Sequence, residues 1–174
     1  MTITVHHLNN SRSQRILWLL EELGADYEIV SYQRDATTNL APAALKDAHP
    51  LGKSPLIEDN GRRVAESGAI IQYLCERHGG GAWLPDPQSD AHIDHLEWMQ
   101  FGESSFFVPV MLKLYAGRLG EAAAPLMPRI DEQLGAHVDF AEAGLSDDLH
   151  FVGSDWSAAD VMMSFPAEIA VMQG

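Results

Sequence analysis

The stretch PLIEDNGRRVA at residues 55–65 decides the fold class of the first half of the chain. Residues 55–59 and 62–65 each have the composition of a strand. Asn60 and Gly61 between them are the pair that a two-residue type I′ turn favours, because both of its central positions need a positive φ. The stretch therefore predicts an antiparallel β-hairpin.

A strand–helix–strand unit precedes the hairpin. Residues 3–8 and 27–32 are rich in β-branched and aromatic side chains and predict two strands. Between them, apolar residues recur at helical spacing after a capping-box pattern at Ser11, and Gly24 supplies a stop signal. A right-handed crossover makes the two strands parallel.

Two further helices complete the first half of the chain. A short one is expected around residues 42–48, and a longer one begins at Ser67 and ends before the three glycines at 79–81. The predicted element order is therefore βαβαββα.

The second half of the chain has a different character. Residues 79–88 hold the glycines and prolines of a linker. Three later segments have helical periodicity, namely 91–115, 122–143 and 158–172. We expect an α/β domain over 1–78, a linker over 79–88 and an all-helical domain over 89–174. The final apolar helix has no polar tail, so we expect the helical domain to continue beyond it.

Charge excludes two classes of partner. The 174-residue chain has 46% apolar residues and a formal net charge of −14, and its 11 Lys and Arg residues form no cluster. Such a charge repels nucleic-acid phosphates and anionic lipid head groups, so neither is expected as a partner. Residues 1–78 carry 8 basic and 10 acidic side chains, whereas residues 79–174 carry 3 and 15. An anionic ligand is therefore expected in the first half.

The single cysteine, Cys75, can form neither an internal disulfide nor a Cys-x-x-Cys redox pair. The N-terminus lacks the basic and then apolar pattern of a secretory signal. We expect a reducing, cytoplasmic setting.

Four motifs carry a resemblance to a known family. They are NSRSQR at 10–15, PLGKSPLI at 50–57, ESGAI at 66–70 and SAAD at 157–160. In this order, and with the order of elements above, the sequence resembles the cytosolic glutathione S-transferases, in particular serine-type members of the bacterial or theta-like kind. The resemblance implies a thioredoxin-like N-terminal domain followed by an all-α domain.

Ser11 is the candidate catalytic residue that this resemblance implies. A hydroxyl near the positive end of a helix can donate a hydrogen bond to the thiolate of glutathione and so lower the thiol pKa. From the residues alone, Ser11 is instead a helix N-cap with Gln14 as its capping-box partner. Ser13 is the competing hydroxyl.

Lys53, Ser54 and Pro55 are candidate glutathione-binding residues. In the family this proline is cis, and the main chain of the residue before it pairs with the cysteinyl backbone of glutathione, which here assigns Ser54. Lys53 would meet the glycyl carboxylate. Without the resemblance, Lys53 is a solvated lysine in a turn.

Glu66 and Ser67 are the other candidate glutathione-binding residues. Free N–H groups at the start of a helix favour a carboxylate, which here would be that of the γ-glutamyl group. Glu66 would hold the ammonium of the ligand. Without the resemblance, Ser67 is an ordinary N-cap.

Other candidates are weaker. His92 and His95 lie three apart, but we interpret them as exposed residues of an acidic helix and expect no metal site. Asp160 forms a second capping box with Ser157 and is expected to be structural. Cys75 lies within a later helix, which disfavours the cysteine-type members and a disulfide reductase.

The sequence therefore predicts a glutathione transferase that attacks a small hydrophobic electrophile, with glutathione as co-substrate and a role in detoxification. The resemblance also implies a homodimer and allows a glutathione peroxidase side activity. The alternative is a non-catalytic glutathione-binding or protein-interaction module of the same fold.

Overall fold

The computed structural model describes residues 2–173. The chain divides into two compact units, Met1–Trp83 and Leu84–Gly174. This division lies inside the glycine- and proline-rich stretch 79–88.

The first unit is built from strands and helices in the order βαβαββα, as the sequence predicts. Its elements are β1 Ile3–Leu8, α1 Ser13–Leu23, β2 Tyr27–Tyr32, α2 Leu45–Ala48, β3 Leu56–Asp59, β4 Arg62–Ala65 and α3 Ser67–Arg77. The strands form one sheet of four in the order β2-β1-β3-β4. β1 pairs parallel with β2 and antiparallel with β3, and β3 pairs antiparallel with β4.

The hairpin of β3 and β4 has the predicted turn. Asn60 and Gly61 have φ values of 51° and 78°, and Asp59 pairs with Arg62 across the turn. Positive φ at both central positions is the signature of type I′. The prediction from the Asn-Gly pair is confirmed.

The sheet has a core on each face. The apolar side chains of α1 and α3 pack against each other and against the sheet, where Ile3, Val5 and Ile57 are buried. Because side chains alternate along a strand, Leu8 and Leu56 face the other way and pack against α2. Each fully buried aliphatic side chain contributes about 1.5–3 kcal/mol, so these two layers fix the sheet.

The start of α1 differs from the sequence prediction. The helix begins at Ser13, Arg12 occupies the N-cap position, and the Arg12 side chain makes no capping hydrogen bond. The Ser11 hydroxyl accepts a hydrogen bond from the N–H of Ser13 at 3.3 Å. The capping box predicted for Ser11 and Gln14 is wrong, because the N–H of Gln14 donates to the backbone carbonyl of Ser11 and the Ser11 hydroxyl donates to the carbonyl oxygen of Leu8. The C-terminal stop is confirmed, since Gly24 has a φ of 60°.

The second unit consists of helices. They are α4 Asp90–Glu103, α5 Phe107–Gly117, a short 3-10 turn Gly120–Ala123, α6 Met127–Ala143 and α7 Ala158–Gln173. The single helix predicted over 91–115 is broken at 104–106. Pro109 lies in the first turn of α5, where a missing N–H costs no helical hydrogen bond, and Pro128 opens α6 in the same way.

The core of the second unit surrounds Trp98. The indole ring contacts the rings of Phe101, Phe140 and Phe151, with centroids 5.5, 5.5 and 4.7 Å away. α4 and α7 approach closely at Gly102, where a Cβ atom would lie 2.9 Å from the sulfur of Met163.

The predicted capping box at the start of α7 is confirmed. Asp160 accepts hydrogen bonds from the N–H and the hydroxyl of Ser157, at 2.6 and 2.9 Å. It also accepts one from the N–H of Phe151 at 3.0 Å, which ties the preceding loop to the helix. Within residues 2–173, no helix combines the length and the apolar character that crossing a bilayer demands.

Candidate active site

A cavity of about 130 Å³ lies in the first unit, where the loop before β3 meets the start of α3. It is lined by five of the six site residues predicted from the sequence, namely Lys53, Ser54, Pro55, Glu66 and Ser67. These residues come from two segments that are eleven or more positions apart in the chain, and the hairpin folds the segments together.

Ser67 is the first residue of α3, and its side chain is only 2% exposed. Its hydroxyl oxygen has no hydrogen-bond partner among the described residues, although it is buried. A buried polar atom without a partner costs about 1–3 kcal/mol. The free N–H groups of the first helical turn lie at the same end of α3, so the place is suited to an anionic group.

Glu66 joins β4 to α3 with a φ of 71° and a ψ of 122°. A positive φ at a residue other than glycine costs of the order of 1–3 kcal/mol and is typical of functional sites. The Glu66 side chain is exposed and lines the cavity, so its carboxylate lies beside the positive end of the helix dipole of α3.

Ser54 and Pro55 form the described chain's cis peptide bond, as the resemblance implies. The Ser54 hydroxyl donates to the carbonyl oxygen of His6 at 2.8 Å and accepts from the N–H of Leu8 at 3.3 Å. The Ser54 side chain therefore ties the loop to β1, which leaves the main chain of Ser54 as the part that can serve a ligand.

Four other residues that line the cavity were not predicted as site residues from the sequence. They are Arg12, His49, Leu51 and Ala65. Arg12 and Lys53 place two cationic side chains around one small cavity. Arg12 belongs to the NSRSQR motif, so its position beside Ser11 was the signal that could have identified it.

Ser11 does not line this cavity, although its neighbour Arg12 does. Its side chain is buried and donates to the carbonyl oxygen of Leu8 at 2.7 Å. The Ser11 oxygen also lies 2.8 Å from the hydroxyl oxygen of Ser13, and the Ser13 oxygen lies 2.9 Å from Nδ1 of His7. Ser11, Ser13 and His7 therefore form one hydrogen-bonded chain.

His7 was not predicted as a site residue. It lies in β1 and is half-buried, and burial lowers its pKa below 6.5. The neighbouring His6 is not part of this chain, because its ring bonds the hydroxyl of Tyr32 at 2.9 Å and the carboxylate of Glu58 at 3.2 Å.

The remaining candidates lie away from the cavity. Cys75 is fully buried, and burial raises its pKa to about 12, so its thiol is protonated at neutral pH. The interpretation of His95 as an exposed residue is wrong: the side chain is 1% exposed, and burial lowers its pKa. Among residues 2–173, no three His, Cys, Asp or Glu side chains are close enough to hold a metal ion.

Comparison with known proteins identifies the family. Residues 1–76 match the model of the glutathione S-transferase N-terminal domain. The chain is 33% identical to glutathione S-transferase 3 of Schizosaccharomyces pombe, over 94% of this chain and 72% of that protein. The chain belongs to the glutathione S-transferase family.

Two further comparisons also match this chain to glutathione S-transferases. It is 32% identical to glutathione S-transferase 1 of Saccharomyces cerevisiae, over 97% of this chain and 80% of that protein. A crystal structure of a glutathione S-transferase from Actinobacillus pleuropneumoniae superposes with a TM-score of 0.87 at 35% identity, covering 99% of this chain and 80% of that one. The thioredoxin-like N-terminal domain and the helical part after it therefore match solved transferase structures.

The family also reaches proteins with other names. The chain is 24% identical to a probable elongation factor 1-gamma of Arabidopsis thaliana, over 93% of this chain but only 39% of that protein. The region of that protein that matches this chain is therefore one part of a longer protein.

Proposed function

We propose that the chain is a serine-type glutathione transferase, which binds glutathione at the 130 Å³ cavity, with the thiol extending out of the cavity to Ser11, which activates it. The observation that carries the proposal is the cavity itself. It gathers Lys53, Ser54, Glu66 and the buried, unpartnered hydroxyl of Ser67 around the start of α3.

The γ-glutamyl end of glutathione would occupy the start of α3. Its carboxylate can accept hydrogen bonds from the Ser67 hydroxyl and from the N–H groups of the first helical turn. Glu66 would pair with the ammonium group of the same residue. The unsatisfied Ser67 hydroxyl supports this assignment, since a bound carboxylate supplies the missing partner.

The other end of glutathione would lie along the loop before β3. The main chain of Ser54 beside cis-Pro55 would pair with the cysteinyl backbone, and the Ser54 side chain is already engaged with β1. Lys53 would meet the glycyl carboxylate, with Arg12 on the same cavity as a second cation. Glutathione carries two carboxylates and one ammonium, so two cations and one carboxylate match its charges.

Ser11 would act on the sulfur. The free thiol has a pKa of about 8.5, and lowering that pKa by about two units takes about 2.7 kcal/mol. A hydrogen bond to a charged group contributes about 1.5–3 kcal/mol. One hydrogen bond from the Ser11 hydroxyl, which lies just before α1, is therefore strong enough to account for most of this pKa shift.

The reaction would be nucleophilic attack by the thiolate. The thiol proton passes to solvent, the sulfur forms a bond to an electrophilic carbon, and the leaving group takes the electron pair of the bond that breaks. The electrophile is a small hydrophobic compound. In a peroxidase side activity, the same thiolate would attack a hydroperoxide, the O–O bond would break to release an alcohol, and a second glutathione would convert the resulting sulfenic acid to glutathione disulfide and water. No step in either proposed reaction uses a metal.

The alternative proposal is a non-catalytic glutathione-binding or protein-interaction module. The likeness to elongation factor 1-gamma favours it, because there the fold is one part of a larger protein. Such a module needs no thiol activation, so the pKa of the bound thiol distinguishes the module from the transferase.

We also propose that the protein is a cytoplasmic homodimer that acts in detoxification.

The test is a pH titration of the ultraviolet thiolate band of glutathione bound to the wild-type protein and to Ser11→Ala. For a transferase, we expect a bound-thiol pKa about two units below that of free glutathione, and a rise of one unit or more in the variant. The control is Ser104→Ala, since Ser104 is exposed at the end of α4 and its hydroxyl donates to the carbonyl oxygen of Gln100.

Three outcomes separate the proposals. A lowered thiol pKa that rises in Ser11→Ala supports the transferase. Glutathione that binds with an ordinary thiol pKa supports the binding module. A lowered pKa that Ser11→Ala leaves unchanged contradicts the role of Ser11.

A further inference from the structure

A chain of polar side chains leads from Ser11 back into β1. The oxygens of Ser11 and Ser13 are 2.8 Å apart, and the Ser13 oxygen is 2.9 Å from Nδ1 of His7. At the other end, Ser11 donates to the carbonyl oxygen of Leu8 at 2.7 Å. Both serines are buried and His7 is half-buried, so protein partners largely replace water around these groups.

Counting protons fixes the direction of this chain. The Leu8 carbonyl can only accept, so the single proton of Ser11 occupies that contact. The contact between the two serines must then be filled by the single proton of Ser13. The contact between Ser13 and His7 must in turn be filled by a proton on Nδ1 of His7.

The opposite direction leaves a short contact empty. If Nδ1 of His7 accepted from Ser13, only the Ser11 proton could fill the contact between the two serines, and without it those oxygens, 2.8 Å apart, would face each other without a proton. Suppose instead that Ser11 donates to Ser13. The Ser11 and Leu8 oxygens, 2.7 Å apart, would then face each other without a proton. The 3.3 Å contact between the Ser13 hydroxyl and the Leu8 carbonyl is longer than the three contacts above and is the one left without a proton in the favoured arrangement.

We propose that His7 and Ser13 are positioning residues, which hold the Ser11 hydroxyl as a hydrogen-bond donor to the bound thiolate. This inference rests on the proposed function of Ser11. While Ser13 donates to Ser11, the Ser11 proton cannot turn inward. It turns instead from the Leu8 carbonyl to the sulfur when glutathione binds.

The ring of His7 suits this task. Burial lowers the pKa of His7, so the ring is neutral at neutral pH and carries one proton. The positioning chain requires that proton on Nδ1. Donation into Ser13 also polarises the Ser13 and Ser11 hydroxyls in turn, which strengthens the final hydrogen bond.

A first test uses the wild-type protein alone. Long-range proton–nitrogen NMR spectra distinguish a protonated from an unprotonated ring nitrogen. We expect Nδ1 of His7 to be protonated at neutral pH, and the signals are assigned by their loss in His7→Asn. An unprotonated Nδ1 would overturn the inference.

A second test measures the pKa of glutathione bound to His7→Phe, His7→Asn and Ser13→Ala. Phe fills the place of the ring without a donor, whereas the amide nitrogen of Asn lies near the position of Nδ1. We expect His7→Phe and Ser13→Ala to raise the bound-thiol pKa by about half a unit to one unit, and His7→Asn to restore most of the loss. Because the two groups act in series, the double variant His7→Phe/Ser13→Ala should match Ser13→Ala.

The result is separable from the proposed function. If Ser11→Ala raises the thiol pKa while His7→Phe and Ser13→Ala leave it at the wild-type value, the positioning chain is overturned and the role of Ser11 stands. If Ser11→Ala has no effect, the proposed function itself fails. Should His7→Phe not fold, Ser13→Ala and the NMR measurement still decide the matter.

Discussion

At the scale of single residues, the environment of Ser67 distinguishes a ligand-binding role for this residue from a structural one. An N-cap hydroxyl would bond a backbone N–H of its own helix, but the buried Ser67 hydroxyl has no partner within residues 2–173. Its removal should therefore cost the fold little and the ligand much. The resemblance predicted Ser67 as a ligand contact, and the unpartnered hydroxyl supports that prediction.

We expect Ser67→Ala to weaken glutathione binding about tenfold or more, because a hydrogen bond to a carboxylate is lost. The free energy of unfolding should change by less than about 0.5 kcal/mol. Calorimetric titration and urea unfolding measure the two quantities, with Ser104→Ala as the control. A loss of about 1 kcal/mol in stability with unchanged affinity would identify an ordinary N-cap.

Cys75 is expected to be chemically silent. Burial raises its pKa to about 12, so almost no thiolate forms at neutral pH. A thiol reagent should label Cys75 only after unfolding, and Cys75→Ala should keep full transferase activity. Rapid labelling of the folded protein, followed by loss of turnover, would restore a cysteine-type mechanism.

At the scale of elements, the sequence predicted turns and caps correctly where one local structure is strongly favoured by neighbouring residues. The Asn60-Gly61 hairpin and the box of Ser157 and Asp160 are confirmed, because each depends on neighbouring residues only. The capping box at Ser11 failed because its hydroxyl found partners in β1 and at Ser13. The helix predicted over 91–115 failed at 104–106, where periodicity alone does not show a break.

Asp160 should contribute to stability rather than to chemistry. It accepts hydrogen bonds from Ser157 and from the N–H of Phe151. We expect Asp160→Asn to lower the free energy of unfolding by about 1–3 kcal/mol, since a neutral amide oxygen accepts more weakly. Urea unfolding measures this loss. Full stability together with lost turnover would show that Asp160 belongs to the active site.

The junction of the hairpin with α3 should make stability depend on acid pH. The carboxylate of Asp59 is 2% exposed and accepts hydrogen bonds from the Tyr73 hydroxyl at 2.9 Å and from Nε2 of His78 at 2.7 Å. Burial by itself would raise the pKa of Asp59, but these partners outweigh it and hold the pKa below 3.8.

The sign of the effect follows. Because the folded-state pKa of Asp59 is the lower one, the folded state binds fewer protons than the unfolded state in acid. The contribution of Asp59 is therefore fully present above pH 3.8 and is lost as the pH falls through the folded-state value. At neutral pH, we expect Asp59→Asn to cost about 1–3 kcal/mol, and the difference from wild type to shrink in acid.

Urea unfolding at a series of pH values checks this prediction. The exposed Asp148 provides the control substitution Asp148→Asn, for which no comparable trend is expected. A wild-type stability that follows the Asp59→Asn curve at every pH would show that the carboxylate charge has no role at this junction.

At the scale of the whole molecule, charge and family point to a protein that handles small ligands. Residues 79–174 carry −12 of the formal net charge of −14, whereas the residues of the predicted anion site belong to 1–78. Arg12 and Lys53 both line the cavity, and we propose that they face the carboxylates of one small molecule.

We expect the protein to sediment as a dimer of about twice 19.1 kDa. Sedimentation equilibrium over a range of protein concentrations measures the mass. The dimer is an implication of family membership and does not depend on the identity of the electrophile. A single species of monomer mass at high protein concentration would contradict it.

The sequence by itself determined the order of the elements, the hairpin turn and the family, because each is carried by residues close together in the chain or by motifs in a fixed order. Tertiary structure alone decided two features of the site. One feature is that Arg12 lines the cavity, and the other is the hydrogen-bonded chain from His7 through Ser13 to Ser11. Hydrogen bonds depend on distance and direction between side chains, and these are set only after β1, the loop after it and α1 have packed.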